Sequence, residues 1–125
     1  MTTSERVCRV LLVEDEPAAR EGLSVILDIE PDLTLVGSAA SAEEALLLLH
    51  ELAPDVVLLD NELAGSLTGV QAAPAFKELA PQAVVLLCTV TPEGELEAHP
   101  GVDGYLCKED LVSLPDVVRQ TRGRA

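Results

Sequence analysis

Short, mostly apolar runs alternate along this chain with longer stretches whose apolar residues recur every three or four positions. VCRVLLV, Val7 to Val13, is a branched run of strand length. PAAREGLSVILDIE after it opens on Pro17 and sets Ala19, Leu23, Ile26 and Leu27 at helical spacing. LTLVGSA, Leu33 to Ala39, predicts a second strand, and Ser41 with Glu44 forms an S-x-x-E capping pattern ahead of the helix AEEALLLLHELA. VVLLD, Val56 to Asp60, predicts the third strand, and VQAAPAFKELA a weaker helix disturbed by Pro74, with Phe76 and Leu79 as core packing beneath it. AVVLLCT predicts the fourth strand, VDGYLCK the fifth, and LPDVVRQTR a closing helix with Ser113 and Asp116 placed as a cap. Between them, in Thr91 to Val102, Pro92, Gly94, Pro100 and Gly101 leave room for about two turns at most. A fourth helix is expected to be short or degenerate.

Strand followed by helix, repeated along the whole chain, predicts the α/β class: parallel strands joined by crossovers, with helices on both faces of one doubly wound sheet. At 125 residues the chain makes one domain, 1–125, with no linker inside it. Apolar residues make up 48% and aromatics only 2%, so Val, Leu and Ala must build the core. The formal charge of −14 repels phosphate backbones and anionic lipid, which argues against nucleic-acid or membrane binding by this domain. Arg119, Arg122 and Arg124 read as a basic end to the closing helix, where cations suit the dipole. Cys8, Cys88 and Cys107 lie far apart in apolar runs, without metal-site spacing, and read as buried thiols in a reducing compartment. The first strand is interrupted by Arg9 and stopped by Glu14, so it is neither a signal sequence nor a membrane span, and a soluble cytoplasmic protein is expected.

In an open parallel sheet the C-terminal ends of the strands share one edge, where ligands bind. Here that edge collects Glu14, Asp15 and Glu16 after the first strand, Asp60 after the third, Thr89 after the fourth and Lys108 after the fifth. One acid after a strand can simply face the next helix's dipole, and one lysine is usually solvated. Together they point to a site. Clustered carboxylates repel one another, and Mg²⁺ relieves that repulsion with few protein ligands. Asp60 is then a credible nucleophile toward phosphorus, with the metal and Lys108 neutralising the phosphoryl oxygens and Thr89 hydrogen-bonding one of them.

The motifs VLLVEDEP, PDVVLLDNELAG and DGYLCKED resemble, in order and spacing, those of response-regulator receiver domains of two-component signalling. The stretch REGLSVILDIEPDLTLVGSAASAEEAL is further similar to receivers of LuxR-type helix-turn-helix regulators. The resemblance implies a flavodoxin-like five-stranded parallel sheet of order 2-1-3-4-5. It implies Asp60 as phospho-acceptor, Glu14 and Asp15 as the acidic pair that holds Mg²⁺ with Asp60, and the carbonyl of Glu62 as a further ligand. Lys108 matches the family's lysine, Thr89 its switch hydroxyl and Tyr105 its switch aromatic. A sensor histidine kinase is the implied partner. A homodimer and a DNA-binding output domain beyond this chain stay open.

The chain departs from the family in three places. Leu63 and Ala64 stand where many receivers have Met-Pro, and the loop glycine, Gly69, comes nine positions after Asp60 instead of eight. Cys88 or Thr91 could occupy the switch position if the register shifts, and Tyr105 could simply be packed. The weak fourth-helix region puts the ordinary output surface in question. The leading expectation is a phosphorylation switch whose only chemistry is its own phosphoryl transfer and hydrolysis. The alternative is a receiver-like interaction module independent of phosphate. A separate Mg²⁺-dependent phosphatase would need a cap insertion that is absent, and a nucleotide-binding flavodoxin-like protein would need a glycine-rich loop after the first strand.

Overall fold

A computed structural model describes residues 7–63, 65–89 and 99–123. Its elements run β1 (Cys8–Val13), α1 (Pro17–Ile29), β2 (Leu33–Ala39), α2 (Ala42–Leu52), β3 (Val56–Asp60), α3 (Gly69–Leu79), β4 (Val84–Thr89), β5 (Gly104–Cys107) and α4 (Leu114–Gly123). The strands form one parallel sheet in the order β2-β1-β3-β4-β5. Strands that are apolar throughout are buried on both faces. Leu11, Val57, Leu59, Val85 and Leu87 pack against Ala45, Leu49, Ala72, Ala73 and Phe76 of α2 and α3. The alternate residues Val10, Leu12, Val56, Leu58 and Leu86 pack against Leu23 and Leu27 of α1 and Leu114 and Val118 of α4.

Several local expectations change. Pro74 does not break α3, which runs through it. Pro74 lies on the exposed side, while Ala72, Ala73 and Phe76 hold the buried one. The helix also starts on a reciprocal cap, Gln71 N–H to Thr68 Oγ1 at 3.1 Å and Thr68 N–H to Gln71 Oε1 at 3.0 Å. Leu79 is not beneath the helix with Phe76 but 62% exposed. Ser41 caps α2 by accepting the Glu44 N–H, yet Glu44 reaches back to the N–H of Ala40. Ser113 donates its hydroxyl to Asp110. Residues 90–98, which hold most of the expected fourth-helix segment and Thr91, lie outside the described residues. From Pro100 and Gly101 the chain turns toward β5.

Arg119 does more than face a helix dipole. Its Nε and Nη2 donate to the two carboxylate oxygens of Asp32 at 2.8 and 3.0 Å, Nη1 to Asp116 at 2.9 Å, and Nη2 also to Glu30. These bonds tie α4 to the α1–β2 turn, and the guanidinium holds the Asp32 carboxyl below its ordinary value. A lowered carboxyl stabilises the fold above its unfolded pKa, and that contribution is lost as pH falls through the lower folded value. Because the pairs are solvent-accessible, Arg119→Ala is expected to cost only about 0.5–1 kcal/mol at neutral pH, vanishing in acid. Urea denaturation of both proteins across pH checks this.

Candidate functional site

Four of the five strands, all but β2, hand one or two polar side chains to the same edge of the sheet. At the end of β1 the chain keeps its pairing for one more residue, Glu14 N–H to the Ala39 carbonyl at 3.0 Å, so Glu14 is held inside at 2% exposure. Arg20 Nη1 reaches back from α1 to the Glu14 carbonyl at 2.8 Å, and the Glu16 N–H meets Glu14 Oε2 at 3.2 Å. Asp60 closes β3 and is 3% exposed. Its Oδ1 accepts the Glu62 N–H at 3.1 Å and its Oδ2 the Lys108 ammonium at 3.1 Å. Lys108 is aimed there because its own N–H extends the β4–β5 pairing to the Thr89 carbonyl at 2.9 Å. Its ammonium also stands 3.8 Å from Glu14 Oε1. Glu14, Asp15 and Asp60 each present an oxygen within 4.8 Å of the others. They open into a polar pocket of about 430 Å³ that Asn61, Glu62 and Thr68 also line.

Three carboxylates against one ammonium leave the cluster short of positive charge. Burial pushes the Glu14 carboxyl up to about 7, the Glu16 N–H opposing the rise and the Asp60 charge adding to it. Burial pulls Lys108 down, but its hydrogen bond to Asp60 and the charges of Asp60 and Glu14 prevail and raise it. An all-oxygen, partly buried, under-compensated donor set is what a hard divalent cation fits.

The loop after Asp60 is closed at its base by Asn61, whose carbonyl accepts the Gly69 N–H and whose Oδ1 accepts the Val70 N–H, both at 3.0 Å. Gly69 lets α3 start this close, since a Cβ there would stand 2.5 Å from the Asp60 carbonyl oxygen.

Thr89 is buried at the end of β4, one residue beyond the Asp60↔Cys88 register pair. Side chains alternate along a strand. Thr89 therefore shares the α2–α3 face with Leu87 and with Tyr105, which packs partly against that core. The Tyr105 hydroxyl accepts the His99 N–H at 3.2 Å. Cys88 lies on the other face, where burial raises its thiol pKa. It lines an apolar hollow of about 310 Å³ under α1 that shares Glu14 and Lys108 with the polar pocket.

Of the residues expected from sequence, Glu14, Asp15, Asp60 and Lys108 converge, and Glu62 joins them through its N–H. Glu16 contributes its N–H to Glu14 and keeps an exposed side chain. Thr89 and Tyr105 flank the cluster on neighbouring strands. Sequence reasoning missed Arg20 and Asn61. It also missed the Thr68–Gln71 cap, although T-x-x-Q is a readable capping signal.

The family model of the response regulator receiver domain matches residues 10–119. The response regulator protein VraR of Staphylococcus aureus (strain NCTC 8325 / PS 47) is 37% identical over 119 residues, covering 90% of this chain and 56% of its own length. The chain thus spans little more than half of that relative. The signal receiver domain of the putative response regulator NarL from Mycobacterium tuberculosis superposes with a TM-score of 0.85 at 28% identity, covering 94% of this chain and 98% of that one. A LuxR-family two-component response regulator from Aurantimonas sp. SI85-9A1 gives 0.81 at 28% identity, covering 94% and 86%. With the sheet order, the polar edge and these matches in agreement, the chain belongs to the response regulator receiver domain family and resembles the receivers of LuxR-type regulators.

Proposed function

We propose that residues 1–125 form a single cytoplasmic receiver domain that works as a phosphorylation switch, with Asp60 accepting a phosphoryl group from a sensor histidine kinase. One observation carries this reading: a buried carboxylate, Asp60, held on both oxygens by the Glu62 N–H and Lys108, opens into a pocket with two further acids. A carboxylate so fixed is oriented for attack. An Asp60 oxygen bonds to phosphorus, the P–N bond of the donor phosphohistidine breaks, and its electron pair leaves with the imidazole nitrogen, which takes up a proton. Lys108 would move from Asp60 to a phosphoryl oxygen and balance its charge. Glu14, Asp15, Asp60 and the Glu62 carbonyl would hold Mg²⁺, which when bound supplies positive charge to the phosphoryl oxygens. Hydrolysis by water returns the Asp60 carboxylate and inorganic phosphate.

Thr89 and Tyr105 on one face of adjoining strands support a relay in which a change at Asp60 reaches the β5 side. Cys88, the register partner of Asp60, lines a mostly apolar hollow beside Glu14 and Lys108 and carries no hydroxyl, which favours Thr89 for the switch hydroxyl. In a longer protein, a DNA-binding domain like those of LuxR-type regulators would read the change. Among the described residues no helix is long and apolar enough to cross a membrane.

Acetyl phosphate with Mg²⁺ should add one phosphoryl group to the intact chain by mass, and Asp60→Ala should abolish the addition. Labelling that survives Asp60→Ala would overturn the assignment. An inert parent protein would favour a phosphate-independent interaction module.

A further inference from the structure

The β3–α3 loop walls the acidic pocket, and its two ends are fixed by its own residues, Asn61 at the start and the Thr68–Gln71 cap at the finish. Its middle is held from another element. Glu43, in the first turn of α2, turns Oε2 to Ser66, accepting its N–H at 3.2 Å and its hydroxyl as well. Glu43 Oε1 is enclosed, with no hydrogen-bond partner among the described residues. Gly65 covers it: its φ is +98°, and a Cβ there would stand 2.9 Å from that oxygen. An enclosed carboxylate oxygen without a donor is costly. It persists here because the other oxygen takes two donors and the N-terminus of α2 favours an anion. Leu63 and Leu67 rest partly against the core, but apolar contacts do not fix how far the loop slides along it.

We propose that Glu43 is a positioning residue for the acidic pocket: by clamping Ser66 it sets the loop so that the Glu62 N–H meets Asp60 and the Glu62 carbonyl can face a bound cation. This rests on the reading of the pocket as a Mg²⁺ and phosphoryl site. It couples α2, which contributes no side chain to the chemistry, to the affinity of the site.

The test uses the full chain as parent, Glu43→Ala, Glu43→Gln, Ser66→Ala and the Glu43→Ala/Ser66→Ala double variant. Two quantities are read: amide hydrogen exchange at Glu62 and Ser66 without metal, and the Mg²⁺ dissociation constant by calorimetry. Glu43→Ala should speed Glu62 exchange and weaken Mg²⁺ roughly tenfold, as loss of a group that orients ligands does. Glu43→Gln keeps an acceptor oxygen and should recover most of both. The double variant should lose no more than Glu43→Ala alone, because removing Glu43 already releases both Ser66 donors. Parent-like Glu62 exchange in Glu43→Ala, additive losses in the double variant, or a Glu43→Gln variant as poor as Glu43→Ala would each overturn the proposal. If the parent itself binds no Mg²⁺, the functional reading of the pocket fails, and Glu62 exchange alone then decides whether Glu43 positions the loop.

Discussion

Near pH 8 the metal-free Glu14→Gln variant is expected to be more stable than the parent, by on the order of 2–3 kcal/mol. The parent's Glu14 titrates in the folded state at about 7, against an ordinary value of 4.5. Between those values the folded protein keeps a proton that the unfolded chain has released. The stabilising contribution is complete below the unfolded value and is lost as pH rises through the folded one, so above it the parent carries a buried charge at full cost. Glutamine copies the protonated acid: its oxygen can accept the Glu16 N–H and its amide can donate to Asp60. The advantage should therefore disappear near pH 4. Urea denaturation at several pH values measures it, and a variant less stable than the parent at pH 8 would mean that the fold favours the charged acid. Saturating Mg²⁺ should narrow the gap, because only the parent keeps the full acid set for the cation to stabilise.

Gly101→Ala should cost about 3 kcal/mol and lower the melting temperature by roughly 10 °C. Gly101 has a φ of +85°, and an added Cβ would lie 2.7 Å from the Ala73 carbonyl carbon and 2.8 Å from both the Ala73 oxygen and the Pro74 nitrogen. All three are helix backbone, which cannot swing aside as a flexible side chain would. Gly22→Ala is the control, since a Cβ on that α1 residue meets nothing within 4 Å. It should be neutral or gain up to about 1 kcal/mol from helix propensity. Thermal melts of the two variants beside the parent decide the matter. A Gly101→Ala protein that melts with the parent would mean that the turn can retreat from α3 without penalty.

The central strands β1, β3 and β4 were legible because they are buried almost throughout, so their apolar runs had sharp ends. The half-buried edge strands β2 and β5 were still bounded by turns and caps. Val56 to Asp60 and Leu33 to Ala39 fall where the pattern put them. The acids at those ends were legible for the same reason, since a carboxylate straight after a buried run must lie at the sheet edge. What stayed hidden depends on how elements approach one another. Nothing near Glu43 in sequence announces Ser66, and nothing near Arg20 singles out the Glu14 carbonyl. Arg9 likewise sends its guanidinium to the Leu52 and Ala53 carbonyls at the end of α2, across a distance that periodicity does not encode. Pro74 misled in the other direction. A local rule against proline gave way to a well-capped helix whose other face is anchored in the core.

The chain has one tyrosine, one phenylalanine and no tryptophan, and the tyrosine is the one whose hydroxyl accepts the His99 N–H beside β5. The near-ultraviolet emission of the protein therefore comes essentially from a single side chain. Any event at the acidic pocket that shifts Tyr105 would be visible in unlabelled protein, with no second fluorophore to subtract. A cation titration, a phosphoryl donor and a partner protein lacking tryptophan and tyrosine could all be followed in one cuvette, with the domain serving as its own optical reporter.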